Sequence, residues 1–408
     1  MEFIKTLNNF LWGPASAFVI LSGALFLLFK LKFFYLLHPL KCLGIFKKGG
    51  FLSMVSALGG SIGVGNIVGV GVALSLGGAG AVFWMWICAL FTAVLKYCEI
   101  YLAVKYKNAN NGGAMYYLKL CKIPFLPQLF CILCIISSFG IGCAVQSNAL
   151  AKASETTNLS PSLSGIVLSI LCAATFYGGG KLLQKVSKYL VPIMSLLYIA
   201  GALFVVVLKA DYLSEVFSDI FRDAFSFKSA SGGIGASLFV SGIKEGMSKG
   251  IFSAESGMGS SALMYSFDNN ETPENQGLWG IIEVFADTIV MCTLSALVIL
   301  LTKENDVFSA YASVFGDKSN IFVLISMFCF AYTSICCWNF YANTCISFLT
   351  KRKTASFIFN AVFAVTIYIG ATSELYTVWA LSDLSNALML FLNFFGLVYL
   401  NSHVKSPL

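Results

Sequence analysis

Two short stretches of this chain put glycine and small polar residues where a regular helix has no use for them. The first is Gly59-Gly60-Ser61-Ile62-Gly63-Val64-Gly65-Asn66; the second is Ala254-Glu255-Ser256-Gly257-Met258-Gly259-Ser260-Ser261. Glycine loses the most entropy in a helix and accepts backbone angles closed to other residues, so each stretch is expected to interrupt one. An interruption frees peptide N–H and C=O groups. The half-helix that follows then offers N–H donors and a positive dipole end to a carboxylate, and the freed carbonyls suit a dehydrated cation. Glycines serving only close packing, as in the GxxxG pairs Gly59/Gly63 and Gly65/Gly69, would account for one such stretch. Two, at matched positions and both rich in Ser or Asn, point to a binding site.

A second set consists of charges in apolar surroundings, which are functional by default and need partners. Lys96 and Glu99, three residues apart, are expected to pair on one helix face. Glu283 and Asp287, four apart, would repel unless one is protonated or meets Lys244 or Lys249, and Glu255 lies inside the second stretch. Such groups either brace the helices or relay protons. The thirteen cysteines, scattered through apolar runs, read as small packing residues.

The elements that must position these residues follow from composition. Only 11% of the 408 residues are charged and 58% are hydrophobic, with a mean hydropathy of +0.82. A soluble domain carries about a quarter of its residues charged. That excludes a soluble enzyme, a nucleic-acid binder and a disordered scaffold, and leaves an all-α polytopic protein surrounded by membrane lipids. Eleven apolar spans are expected, near 13–33, 51–77, 79–105, 124–151, 160–178, 186–209, 236–266, 276–302, 319–350, 354–371 and 374–400. Segments 210–233 and 305–316 read as amphipathic pieces on the outer surface. Alternate connections hold sixteen Lys and Arg on one side against seven on the other, which places the N-terminus outside and the C-terminus in the cytoplasm.

Each glycine-rich stretch opens a set of five spans, 51–209 and 236–400. Five is odd, so the second set must be inverted relative to the first, the arrangement in which paired broken helices mark a transporter site. The expected organisation is one membrane domain, 1–408: an extra N-terminal helix and cytoplasmic linker (1–50), then a five-plus-five inverted repeat with two discontinuous helices. Gly178-Gly179-Gly180-Lys181 has neither the spacing nor the Ser or Thr of a nucleotide-binding loop. No His-Glu-x-x-His pair, paired-aspartate motif or Ser–base combination for a membrane enzyme stands in the spans. A channel has no need of two broken helices in inverted repeats.

The string Ser61-Ile-Gly-Val-Gly-Asn-Ile-Val-Gly69, followed by Leu76-Gly-Gly-Ala-Gly-Ala-Val-Phe-Trp-Met-Trp86, resembles the signature of the sodium:alanine (alanine or glycine:cation) symporter family. Gly112-Gly-Ala-Met-Tyr-Tyr117, Val145-Gln-Ser-Asn148, Gly250-Ile-Phe-Ser253, Glu283-Val-Phe-Ala-Asp-Thr288 and Thr333-Ser-Ile-Cys-Cys-Trp338 extend the likeness, in order, over essentially the whole chain. The resemblance implies a leucine-transporter-type fold in the bacterial inner membrane. It also implies import of a small neutral, alanine- or glycine-like amino acid coupled to Na⁺ by alternating access, in a protein that is no enzyme and works as a monomer. The alternatives are proton coupling, or another neutral amino acid such as glutamine or serine.

By the same resemblance, Gly63, Val64, Gly65 and Asn66 face the substrate carboxylate and Gln146 the amino group. Gly257, Met258 and Gly259 close the cavity, while Ser334 and Trp338 wall it from one helix face. Na⁺, a hard cation that prefers several neutral oxygens, is expected between the carbonyls near Gly59, Ile62 and Phe330 and the hydroxyls of Thr333 and Ser334. The family commonly has Thr where Val64 stands; the lost hydroxyl removes one hydrogen bond, about 0.5–1.5 kcal/mol, and leaves the backbone amides in place.

Overall fold

The computed structural model describes residues 2–108, 111–225, 234–267, 271–316, 318–373 and 376–407. The described residues are helical apart from turns and one isolated bridge between Asn108 and Asn111. The spanning elements are α1 (Pro14–Lys30), α2 (Phe51–Ser61), α3 (Val68–Gly77), α4 (Gly80–Lys105), α5 (Leu126–Phe139), α6 (Val145–Glu155) and α7 (Pro161–Leu208). They continue as α8 (Ile234–Ala254), α9 (Ser261–Tyr265), α10 (Pro273–Val284), α11 (Thr293–Thr302), α12 (Lys318–Leu349), α13 (Lys353–Thr372) and α14 (Tyr376–Tyr399).

Among the described residues, eight helical runs are long and apolar enough to cross a membrane, and the bent pair α2/α3 makes a ninth. Helix α7 has 48 residues, about 72 Å at 1.5 Å per residue, against a hydrocarbon core of about 30 Å. It therefore holds two crossings, folded at Gly179 (φ 60°, ψ −162°), a conformation that glycine alone adopts cheaply. A connecting loop is expected at 179–185; the structure has helix there, because Lys181-Leu-Leu-Gln-Lys185 is a run of good helix formers and one glycine suffices for the fold. The broken pair α8/α9 lies over the expected span 236–266.

Capping explains several boundaries. Proline opens α1, α7 and α10, and Ser160 and Thr272 accept the N–H groups of Leu163 and Asn275. Of the expected amphipathic segment 210–233, Leu213–Ala224 is a helix and 226–233 lies outside the described residues, Lys228 included. The expected piece at 305–316 is the helix Val307–Phe315.

Burial separates scaffold from rim. In α4, 83% of the most apolar stretch is buried, against 28% in α7 and α13, whose outer faces carry Ile193, Leu196, Ile358 and Val365 toward lipid. Lipid tails are as apolar as leucine, so helices associate by close packing and polar contacts. Both concentrate on α4, packed between α8 and α10.

Candidate functional site

Helix α2 ends at Ser61, and Ile62 and Gly63 are extended. One 3-10 turn, Val64–Asn66, then leads into α3, bent by 66° from α2. The freed amides are not left bare. Gly63 N–H donates to Asn66 Oδ1 at 3.1 Å and Val64 N–H to Gln146 Oε1 at 3.0 Å. Gln146 Nε2 in turn donates to Ile141 O at 3.1 Å, in a π-helical segment, Gly140–Ala144, that joins α5 to α6.

The second break lies between α8 and α9. Glu255, Gly257 and Gly259 all have positive φ (50°, 81° and 79°), so the chain reverses locally and the glycines there are required by conformation. Lys96 spans this break: its Nζ pairs with Glu283 Oε1 at 3.0 Å, donates to Ala254 O at 2.8 Å and bonds Ser261 Oγ. Glu99 Oε2 accepts from Gly259 N at 2.8 Å and from Asn393 Nδ2 at 3.0 Å, and Asn393 also donates to Gly257 O at 2.8 Å. Ser260 Oγ donates to Glu255 Oε2. Lys96, Glu99 and Glu283 are fully buried.

The fold sets the two breaks side by side. Asn66 Nδ2 donates to Ser253 Oγ (2.9 Å) and to Asp287 Oδ1 (2.8 Å), while Asp287 Oδ2 accepts from Ser253 (2.6 Å) and Thr288 (3.1 Å). Ser61 Oγ donates to Glu283 Oε1 at 3.2 Å, linking the end of α2 to the charges of the second break. Gly65 faces the ring of Phe252 in α8.

Two sequence expectations are corrected here. Lys96 is not paired with Glu99 on its own helix; it reaches Glu283 on α10, because both carboxylates flank it and the Ala254 carbonyl fixes the ammonium beside Glu283. Neither Lys244 nor Lys249 serves Glu283 or Asp287: Lys244 lies with Glu245 and Asn9, and Lys249 lies over the Phe252 ring. Asp287 is held by neutral donors instead.

The remaining expected site residues fall into two groups. Trp338 packs on the π-helical segment: a Cβ at Gly142 would stand 2.4 Å from Trp338 Cβ, so only glycine fits beneath the indole. Ser334 Oγ, one turn away, donates to Gly60 O at 3.1 Å. Met258 is buried. At the expected cation position, Gly59 faces Thr333, whose Cβ lies 3.5 Å from where a Gly59 Cβ would be. Thr333 Oγ1 donates back to Cys329 O (3.0 Å) and Phe330 O (3.2 Å). A hydroxyl that donates to a carbonyl keeps lone pairs for a cation.

Sequence reasoning missed several contributors. Ser187, on α7, is fully buried with its Oγ unpartnered, 3.7 Å from the Gly59 Cβ position. Ser253 closes the motif Gly250-Ile-Phe-Ser253 but was given no role there, and Asn393 stands in no motif, its only signal a polar side chain at membrane depth. The π segments Gly140–Ala144 and Phe285–Cys292, of the kind that often marks functional sites, carry no periodicity signal of their own.

An all-helical bundle with two adjacent broken helices at its centre is the architecture of a secondary transporter. A solved structure with this fold is MhsT in complex with L-phenylalanine: TM-score 0.59 at 13% identity, covering 86% of this chain and 88% of that one. The sodium:alanine symporter family model matches residues 1–408, and the chain belongs to that family of transporters. It is 32% identical to the sodium/alanine symporter AgcS of Methanococcus maripaludis, over 100% of this chain and 96% of that protein. It is 30% identical to the probable sodium/glutamine symporter GlnT of Bacillus subtilis, over 98% of this chain and 88% of that protein. The chain is thus a multi-pass membrane symporter of the amino-acid-transporting kind.

Proposed function

We propose that the chain imports a small neutral amino acid together with Na⁺, by alternating access, across a bacterial cytoplasmic membrane. The observation that carries this reading is the pair of amides at the first break, Gly63 N–H and Val64 N–H, held by side-chain amides rather than by backbone. A substrate carboxylate takes those donors in place of Asn66 Oδ1 and Gln146 Oε1, and the released Gln146 turns to the substrate's amino group. Gly65 and Asn66 shape the turn, Gly257, Met258 and Gly259 close the chamber, and Ser334 and Trp338 wall it. Because Trp338 rests on Gly142, the indole has no room to retreat and limits side-chain size.

Na⁺ sits between the carbonyls of Gly59, Ile62 and Phe330 and the hydroxyls of Thr333 and Ser334. A tenfold Na⁺ gradient supplies about 1.4 kcal/mol, and about 100 mV adds roughly 2.3 kcal/mol. The sum of about 3.7 kcal/mol sustains a few-hundred-fold accumulation of a neutral amino acid. Residues 51–209 and 236–400 act as inverted repeats behind the N-terminal helix, with the N-terminus outside and the C-terminus in the cytoplasm. The working unit in this reading is a monomer.

The test is uptake of radiolabelled amino acids into proteoliposomes, with Na⁺ against choline outside. Saturable, Na⁺-driven uptake with counterflow is expected, and Asn66→Ala or Trp338→Ala should abolish it at normal membrane levels. Full uptake by both variants would refute the site. Uptake indifferent to Na⁺ but steep in pH would replace Na⁺ by a proton carried on Glu255, Glu283 or Asp287.

A further inference from the structure

Helix α14 presents Ser382, Asn386, Leu390 and Asn393 at spacings of four, four and three, one face of a helix. The two ends of that face are anchored in different parts of the site. Ser382 packs against Gly140 in the π-helical segment, its Cβ 2.5 Å from where a Gly140 Cβ would stand. At the other end, Leu390 Cδ1 lies 3.3 Å from the Gly257 Cβ position, and Asn393 bonds Gly257 O. Asn386 is therefore held between the π-helical segment on which Trp338 packs and the second helix break.

Its neighbours on the helix are bonded: Ser385 to Ser382 O and to Ser137, and Asn393 to Glu99 and Gly257. Asn386 is fully buried, and neither its Oδ1 nor its Nδ2 has a partner; Ser382 Oγ beside it has none either. A primary amide carries two donors and an acceptor, and burying them unmet is among the costlier choices a helix can make. A ligand group that met it on binding would recover that cost.

We propose that Asn386 reads the side chain of the transported amino acid, and that the preferred substrate is a neutral amino acid ending in a primary carboxamide. This rests on the reading above, in which the substrate's carboxylate lies at Gly63 and Val64. A side-chain carboxamide matches Asn386 at two points, C=O to H–N and N–H to O=C. A hydroxyl matches it at one, and a methyl group leaves it unmet, which a site built for hydrogen bonding rejects strongly.

The experiment is Na⁺-driven uptake by the full chain in proteoliposomes, comparing glutamine, asparagine, serine and alanine in the wild type, Asn386→Leu and Asn386→Ser. The carboxamide amino acids should exceed alanine in kcat/KM by at least about tenfold, and Asn386→Leu should remove that advantage, with Asn386→Ser between. Thermal unfolding without substrate provides the structural control. Leucine replaces an unmet amide with an apolar group, so the midpoint should hold or rise, and the upward shift that glutamine gives the wild type should vanish. An unchanged glutamine-to-alanine ratio in both variants, or a wild type that prefers alanine, would overturn the role of Asn386 and leave the symport reading standing. Absence of Na⁺-driven uptake of all four would overturn both.

Discussion

The two helix breaks perform the same backbone manoeuvre with opposite means. At the first, between α2 and α3, the freed amides are capped by the neutral side chains of Asn66 and Gln146. At the second, between α8 and α9, the chain is pinned by Lys96, Glu99 and Glu283 from α4 and α10. Neutral hydrogen bonds are exchangeable at small net cost, whereas charge-assisted ones in a low-dielectric interior are roughly twice as strong. The first break is thus suited to trade protein partners for ligand. The second is suited to hold its shape. Ser61, bonded to Glu283, ties the two together.

That contrast can be broken at its strongest point by Lys96→Met. Leaving Glu283 buried without its cation should cost about 3–5 kcal/mol, read as a large fall in the thermal midpoint of the purified protein. The double variant Lys96→Met/Glu283→Gln should recover most of it. A single variant that melts with the wild type would mean that charge does not hold the second break.

A smaller effect sharpens the first break. Gln146→Ala removes one exchangeable partner, about 0.5–1.5 kcal/mol, so the substrate half-saturation should rise by up to about tenfold. The midpoint should move far less than in Lys96→Met. If stability falls as far, Gln146 is a structural pin and the contrast fails.

The smallest effect concerns the cation. On the proposed cation site, the unpartnered Ser187 hydroxyl beside Gly59 would supply one further oxygen. Its removal in Ser187→Ala should raise the Na⁺ half-saturation about two- to fivefold, with Thr333→Ala at least as severe. Half-saturation by Na⁺ that is indifferent to Ser187 would confine the cation to α2 and α12.

Much of the fold was legible in the chain because lipid imposes a severe rule: every buried peptide group must be satisfied within its own helix or in a protected cavity. Apolar length therefore marks the spans, and glycine with Ser or Asn marks where they part. Pairing was less legible. Lys96 and Glu99 share a helix face at a favourable spacing, yet Lys96 serves Glu283, since a carbonyl and a carboxylate from other helices converge there. Asn66 reads as a residue facing the substrate, and its bonds to Gly63, Ser253 and Asp287 were not legible in the chain.

By itself the sequence determined the crossings, the two interruptions and the family, since hydropathy and glycine content act locally along the chain. Only the tertiary structure decided which buried charge meets which, that the breaks lie against one another, and that Asn386 was left without a partner. These depend on directions in which helices far apart in sequence present their faces, and a one-dimensional pattern carries no such directions.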